Sequence, residues 1–206
     1  MSMEVGGDLY GVFVIPGGVR VVVGDVSGKG VGGALYMAVA VSLLEDLTKA
    51  GHGPAATLAK LDGQLKERLG GKRFVTCVIA DLQPGKGTVR VANAGHLPPL
   101  MVRDGVVEEM KLADPGPPLG TPLEAEYEEG ETTVEPGSGL VFYTDGFPEA
   151  QAPGSSALLG FPGFEVWLRE APTGPEAMAA GLLDRLMAYS GESLADDATL
   201  VVVEVR

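Results

Sequence analysis

The sequence predicts an α+β fold built mainly from antiparallel strands, and three observations carry that expectation. Helical periodicity is confined to two blocks, one early and one late in the chain. Between them lies a run of short segments whose apolar residues recur every second position. The chain has 206 residues, 45% of them apolar and 21% charged, enough to bury a sizeable core in what its length suggests is one domain, 1–206. Helices that cluster instead of alternating with strands argue against a doubly wound parallel sheet.

The elements follow in order. Val19 to Gly24 is a β-branched run that ends in the turn Asp25-Val26-Ser27-Gly28-Lys29-Gly30. Val31 to Lys49 is helical in pattern, nearly all apolar and small, so it reads as a buried helix. Gly51-His52-Gly53-Pro54 breaks it. Ala55 to Leu69 is an amphipathic helix with Leu58, Leu61, Leu65 and Leu69 on one stripe, stopped by Gly70-Gly71. Strands are expected over Arg73 to Leu82, Thr88 to Ala94, Pro99 to Arg103 and Val106 to Leu112, joined by Pro/Gly and Asp-Gly turns. After a Pro/Gly stretch, further strands fall at Ala125 to Val134 and Leu140 to Thr144. Helices at Phe164 to Glu170 and Pro175 to Tyr189 come next, and a buried strand, Thr199 to Val205, closes the chain.

Composition removes several function classes. Fifteen Lys and Arg against 28 Asp and Glu leave a net charge of −13, a field that repels phosphate backbones, so no nucleic-acid partner is expected. One cysteine and two histidines exclude disulfide scaffolds and Cys/His zinc sites. The longest apolar run, Val31 to Leu44, is too short and interrupted for a membrane span, and no basic leader precedes it. No membrane partner is therefore expected, and the default compartment is the cytoplasm.

The aspartates are the informative residues. Asp25, Asp145 and the pair Asp196-Asp197 sit at the ends of apolar strands, and Asp8 lies in Gly6-Gly7-Asp8-Leu9-Tyr10. Taken singly, each suits a turn. Taken together at converging strand ends, they would form a hard-oxygen cage for Mg²⁺ or Mn²⁺, since packed carboxylates repel unless a cation or a proton lies between them.

Other motifs are weaker. Gly28-Lys29-Gly30-Val31-Gly32-Gly33 matches G-x-G-x-x-G, but the acidic residues about 20 positions on, Glu45 and Asp46, fall in helical pattern, which disfavours a dinucleotide site. The alternative is a tight turn feeding a closely packed helix. Cys77 lies in a strand and reads as a buried, inert thiol. His52 is expected in a solvated loop, and His96, in Asn93-Ala94-Gly95-His96, as a turn stabiliser. The acidic run from Glu124 to Glu135 reads as a solvated strand face.

Gly6-Gly7-Asp8-Leu9-Tyr10, Gly24-Asp25-Val26-Ser27-Gly28-Lys29-Gly30, Asn93-Ala94-Gly95-His96, Pro117-Pro118-Leu119-Gly120, Tyr143-Thr144-Asp145-Gly146 and Asp196-Asp197-Ala198-Thr199 occur in one order. That order resembles the SpoIIE/RsbU-like branch of the metal-dependent protein phosphatases, relatives of phosphatase 2C. The resemblance runs from Glu4 to Arg206. It implies a sandwich of two mostly antiparallel β-sheets flanked by helices, with two Mn²⁺ or Mg²⁺ ions at one end. It assigns Asp25 as the bridging ligand, the Val26 carbonyl as a further one, and Asp145 with Asp196 to one metal. Asp8 supports the site, and Asp197 stands where relatives carry Asn, so either member of the 196–197 pair can be the ligand.

Two departures accompany the resemblance. The chain starts about one strand later than family domains usually do, which suggests a missing N-terminal edge strand, and no upstream arginine can grip phosphate. Lys29 occupies the position of a histidine proposed as general acid, leaving proton delivery to Lys29, to water or to solvent. The resemblance implies hydrolysis of phosphoserine or phosphothreonine by activated water, with no covalent intermediate. The substrate would be a phosphorylated anti-sigma-factor antagonist, and an upstream sensor or regulatory domain the second partner. An inactive pseudo-phosphatase that binds a partner through the same face is the competing reading.

Overall fold

A computed structural model of the chain describes residues 7–28, 30–69, 73–110, 113–191, 194 and 196–205. The chain divides into two compact units, Met1–His96 with Lys111–Val134, and Leu97–Met110 with Glu135–Arg206.

The first unit is a five-stranded antiparallel sheet with helices against it. Its strands are β1 (Asp8–Ile15), β2 (Gly18–Val26), β3 (Val75–Gln83), β4 (Thr88–Ala94) and β7 (Glu129–Thr133), in spatial order β1-β2-β3-β4-β7. Strand β1 has no counterpart in the sequence reading, because Gly11 interrupts its apolar pattern. The Pro16-Gly17 pair that turns it into β2 is the signal that marks it. Helix α1 (Val31–Lys49) matches its expected bounds, and α2 (Pro54–Leu69) starts one residue early. By length and composition α1 could cross a membrane, contrary to the reading of Val31 to Leu44 as too short. It behaves as a core helix: Tyr36, Ala40, Leu43, Leu44 and Leu47 pack with Leu58, Leu61 and Leu65 of α2 against Val22, Cys77, Ile79 and Ala92 of the sheet. Its other face is not buried, since Val31 and Leu35 are exposed.

Strand β7 is shorter than expected. Residues 125–128 are left unpaired as Tyr127 packs over Gly116, where a Cβ would stand 2.6 Å from the ring, and its hydroxyl donates to the Pro117 carbonyl at 3.0 Å.

The second unit holds β5 (Leu100–Arg103), β6 (Val106–Glu109), β8 (Gly139–Tyr143) and β9 (Leu200–Glu204), antiparallel in the order β6-β5-β8-β9. Helices α3 (Gly160–Arg169) and α4 (Pro175–Ser190) supply Phe164, Leu168, Leu182 and Leu186 to a core with Val141, Tyr143 and Phe147. Two antiparallel sheets and four helices make the α+β class the sequence predicts.

Candidate functional site

Two aspartate clusters lie at strand ends, one in each unit. In the first, the β1–β2 hairpin sets Asp8 directly opposite Asp25. Asp25 is inside β2, one residue from its end, and not in a turn. Like charges opposed across antiparallel strands destabilise the pair, so this position favours a neutralising cation. Gly7 completes the arrangement. Its carbonyl accepts from the Val26 amide at 3.1 Å, and a Cβ on Gly7 would come within 3.1 Å of Asp25 Oδ1 and 3.0 Å of the Val26 carbonyl oxygen. Only glycine at position 7 avoids pressing a side chain onto these two oxygens.

A polar relay backs this cluster. Thr76 faces Asp25 across β2 and β3, and its Oγ1 lies 3.5 Å from the Asp25 carbonyl and 2.9 Å from His96 Nδ1. His96 is held in turn by Asn93, whose Nδ2 donates to the His96 carbonyl at 2.9 Å and whose Oδ1 accepts from the His96 amide at 2.7 Å. Gly95, at φ +67°, makes that turn. The sequence reading of His96 as a turn stabiliser therefore describes its backbone but misses the ring, which reaches the strand that braces Asp25.

In the second cluster, Asp145 follows β8 and Asp196-Asp197 precede β9. The Thr199 amide donates to Thr144 Oγ1 at 2.9 Å, and the Thr144 amide to the Thr199 carbonyl at 3.1 Å, zipping the two strand ends together. A Cβ on Gly146 would fall 2.1 Å from the Asp197 carbonyl oxygen, so only glycine lets these segments meet. The Asp196 carboxylate accepts from the Asp197 amide at 2.9 Å, and Asp196 is exposed while Asp197 is half-buried.

Each cluster offers carboxylate and carbonyl oxygens, donors that suit a hard divalent cation such as Mg²⁺ or Mn²⁺ better than zinc. Among the described residues, no group of three or more Asp, Glu, His or Cys side chains is gathered as a metal site. Lys29 lies outside the described residues. Cys77 is fully buried in β3, and burial pushes its thiol up to about 12, as an inert core residue should behave.

Arg73 is the neighbour that the sequence gives no reason to single out. It follows a glycine break by two residues, yet its Nη1 donates to the carbonyls of Ser27 at 2.6 Å and Gly28 at 2.7 Å, 46 and 45 positions away.

Comparison with known proteins places the chain. The family model for Stage II sporulation protein E (SpoIIE) matches residues 15–206. Phosphoserine phosphatase RsbU of Bacillus subtilis (strain 168) is 24% identical over 203 residues, which is 98% of this chain and 60% of that protein. The chain thus spans about three fifths of that relative. The SiaA-PP2C domain of Pseudomonas aeruginosa superposes with a TM-score of 0.86 at 24% identity, over 98% of this chain and 81% of that one. RsbX in complex with magnesium superposes with a TM-score of 0.70 at 16% identity, over 98% and 88% of the two chains. These likenesses show a shared phosphatase 2C-type fold, and with the model match across nearly all its length the chain belongs to the SpoIIE family.

Proposed function

We propose that this chain works as a single domain, a Mn²⁺- or Mg²⁺-dependent protein phosphatase acting on phosphoserine and phosphothreonine. The observation that carries the reading is the opposed Asp8–Asp25 pair, with Gly7 packed so close that a Cβ there would press on Asp25 Oδ1 and the Val26 carbonyl oxygen. Asp8, Asp25 and the Val26 carbonyl, with Asp145 and Asp196 or Asp197, would hold two cations. When bound, such cations supply Lewis-acid activation of water and neutralise charge on the transferring phosphoryl group. Lys29 would deliver the proton to the departing serine or threonine oxygen. No side-chain nucleophile is required, in keeping with the buried, protonated Cys77.

Two relatives support this reading: RsbU is named a phosphoserine phosphatase, and RsbX is seen with magnesium. By the same kinship the substrate is a phosphorylated anti-sigma-factor antagonist, the second partner is an upstream sensor or regulatory domain, and the compartment is the cytoplasm. The test is hydrolysis of p-nitrophenyl phosphate and of a phosphoserine-bearing antagonist protein in Mn²⁺, in Mg²⁺ and in EDTA. Turnover of both in Mn²⁺ and loss of both in EDTA is expected. Absence of turnover under every condition overturns the enzyme reading in favour of a partner-binding module.

A further inference from the structure

The glycine run that resembles a dinucleotide fingerprint has another physical explanation, and it is Arg73. A Cβ on Gly28 would stand 2.0 Å from Arg73 Nη1, and one on Gly32 would stand 3.0 Å from Nη2. A Cβ on Gly33 would fall 2.3 Å from the Gly28 carbonyl oxygen, which Arg73 engages. Three glycines therefore form the slot that admits a guanidinium between the loop after β2 and the first turn of α1. Gly28, at φ +86°, also has a backbone conformation that other residues rarely adopt.

Both ends of Arg73 are fixed. Its carbonyl accepts from the Tyr36 hydroxyl of α1 at 3.0 Å. The next residue, Phe74, accepts from the Ser27 amide through its carbonyl at 2.9 Å, and its own amide donates to Ser27 Oγ at 2.9 Å. Arg73 Nη1 then takes the Ser27 and Gly28 carbonyls. Those two carbonyls turn to the guanidinium, whereas the Val26 carbonyl lies on the Gly7 and Asp25 Oδ1 side. One side chain thereby fixes the direction of the Ser27 and Gly28 carbonyls, in the two residues that follow the Asp25–Val26 pair.

We propose that Arg73 is the positioning residue for the Asp25–Val26 end of the metal site, holding the loop in its cation-binding shape without itself being a ligand. This rests on the metal-dependent phosphatase reading. Residues that orient metal ligands typically change metal affinity about 10- to 100-fold when removed.

The test compares wild type with Arg73→Met, Arg73→Lys, Gly28→Ala and the double variant Gly28→Ala/Arg73→Met. Mn²⁺ alone is titrated by calorimetry, and p-nitrophenyl phosphate hydrolysis is followed across Mn²⁺ and substrate concentration. Arg73→Met should raise the calorimetric Kd for Mn²⁺ by roughly tenfold or more, with KM for the ester little changed. Gly28→Ala should do the same by displacing the guanidinium and straining a left-handed backbone, and the double variant should be no worse than Gly28→Ala alone, the signature of one shared interaction. Arg73→Lys keeps the charge but loses the planar fork, so it should fall between; it also carries the test if Arg73→Met loses its native circular dichroism.

Wild-type Mn²⁺ affinity in Arg73→Met overturns the proposal. So does a raised KM with unchanged Mn²⁺ affinity, which would make Arg73 a phosphate contact. A wild-type protein that neither binds Mn²⁺ nor turns over removes the phosphatase reading itself, and this proposal with it.

Discussion

Arg20 and Asp81 form a two-pronged ion pair in the interior of the first unit. Nε meets Oδ1 at 2.6 Å and Nη2 meets Oδ2 at 2.8 Å, with the side chains 1% and 2% exposed. The residues face each other in the β2–β3 register. The remaining guanidinium donors reach Thr48 of α1, Thr57 of α2 and the His52 carbonyl between those helices. The pair therefore ties the helical layer to the sheet. Removing one partner of such a pair strands a buried charge and costs about 3–5 kcal/mol. Asp81→Asn should lower stability by that order in urea unfolding, and Arg20→Met by less, because Arg90 Nη2 also lies 3.4 Å from Asp81 Oδ2. A loss under about 1 kcal/mol in Asp81→Asn would mean that water reaches the pair.

Cys77 gives a pH prediction. Its thiol is pushed from 9.0 up to about 12 by burial, so the folded state favours the protonated form. That contribution is fully present below the unfolded value and is lost as pH rises from about 9 towards 12, where only the unfolded chain releases the proton. Stability in denaturant should fall across that window, and Cys77→Ala should flatten part of the fall. In the native state the thiol should resist a disulfide reagent at pH 8 that labels it at once in urea.

Asp25→Ala should abolish phosphatase turnover while leaving the far-ultraviolet circular dichroism intact. Asp145→Asn should do nearly the same, because an amide oxygen is an uncharged, poorer ligand. Either variant keeping more than a small fraction of wild-type rate at saturating Mn²⁺ would count against the metal assignment.

Stability should follow the cation. A ligand that binds only the folded state stabilises it by about 2.7 kcal/mol at a hundredfold excess over Kd. For a chain of this size that corresponds to a Tm rise of roughly 5–10 °C in millimolar Mn²⁺ over EDTA. Asp25→Ala should erase most of the rise, and NAD or ATP without metal should produce none. Superimposable melts in EDTA and Mn²⁺ would argue against any cation site.

If Lys29 donates the proton, Lys29→Met should slow a phosphoserine peptide far more than p-nitrophenyl phosphate, whose phenolate leaves unaided. General acid catalysis is worth about 10²- to 10⁴-fold, so the two substrates should separate clearly. Equal slowing of both would assign Lys29 to positioning.

Much of the first unit was legible from periodicity. The leucines of α2 recur at helical spacing, and Leu58, Leu61 and Leu65 are fully buried. Strand β4 runs from Thr88 to Ala94, as its alternation predicts. Strand β1 escaped because Gly11 interrupts its apolar pattern, and a Cβ there would strike the Phe13 ring at 2.5 Å. At the candidate site the aspartates could be named, since few residue types offer hard oxygen at strand ends. Their braces could not. Nothing near Thr76 or His96 in the sequence announces a contact across 20 positions.

By itself the sequence determined which residues are apolar in which period, and hence the helices, most strands and the α+β class. It also named Asp8, Asp25, Asp145 and Asp196-Asp197 as the candidate hard-oxygen donors. Only the tertiary structure decided partners. It set Asp8 against Asp25, placed Arg20 on Asp81 at a separation of 61 residues, and slid the Arg73 guanidinium between Gly28 and Gly32. The physical reason is that periodicity reports the face on which a side chain falls. The residue it meets there is set by strand register and by the close approaches that only glycine permits.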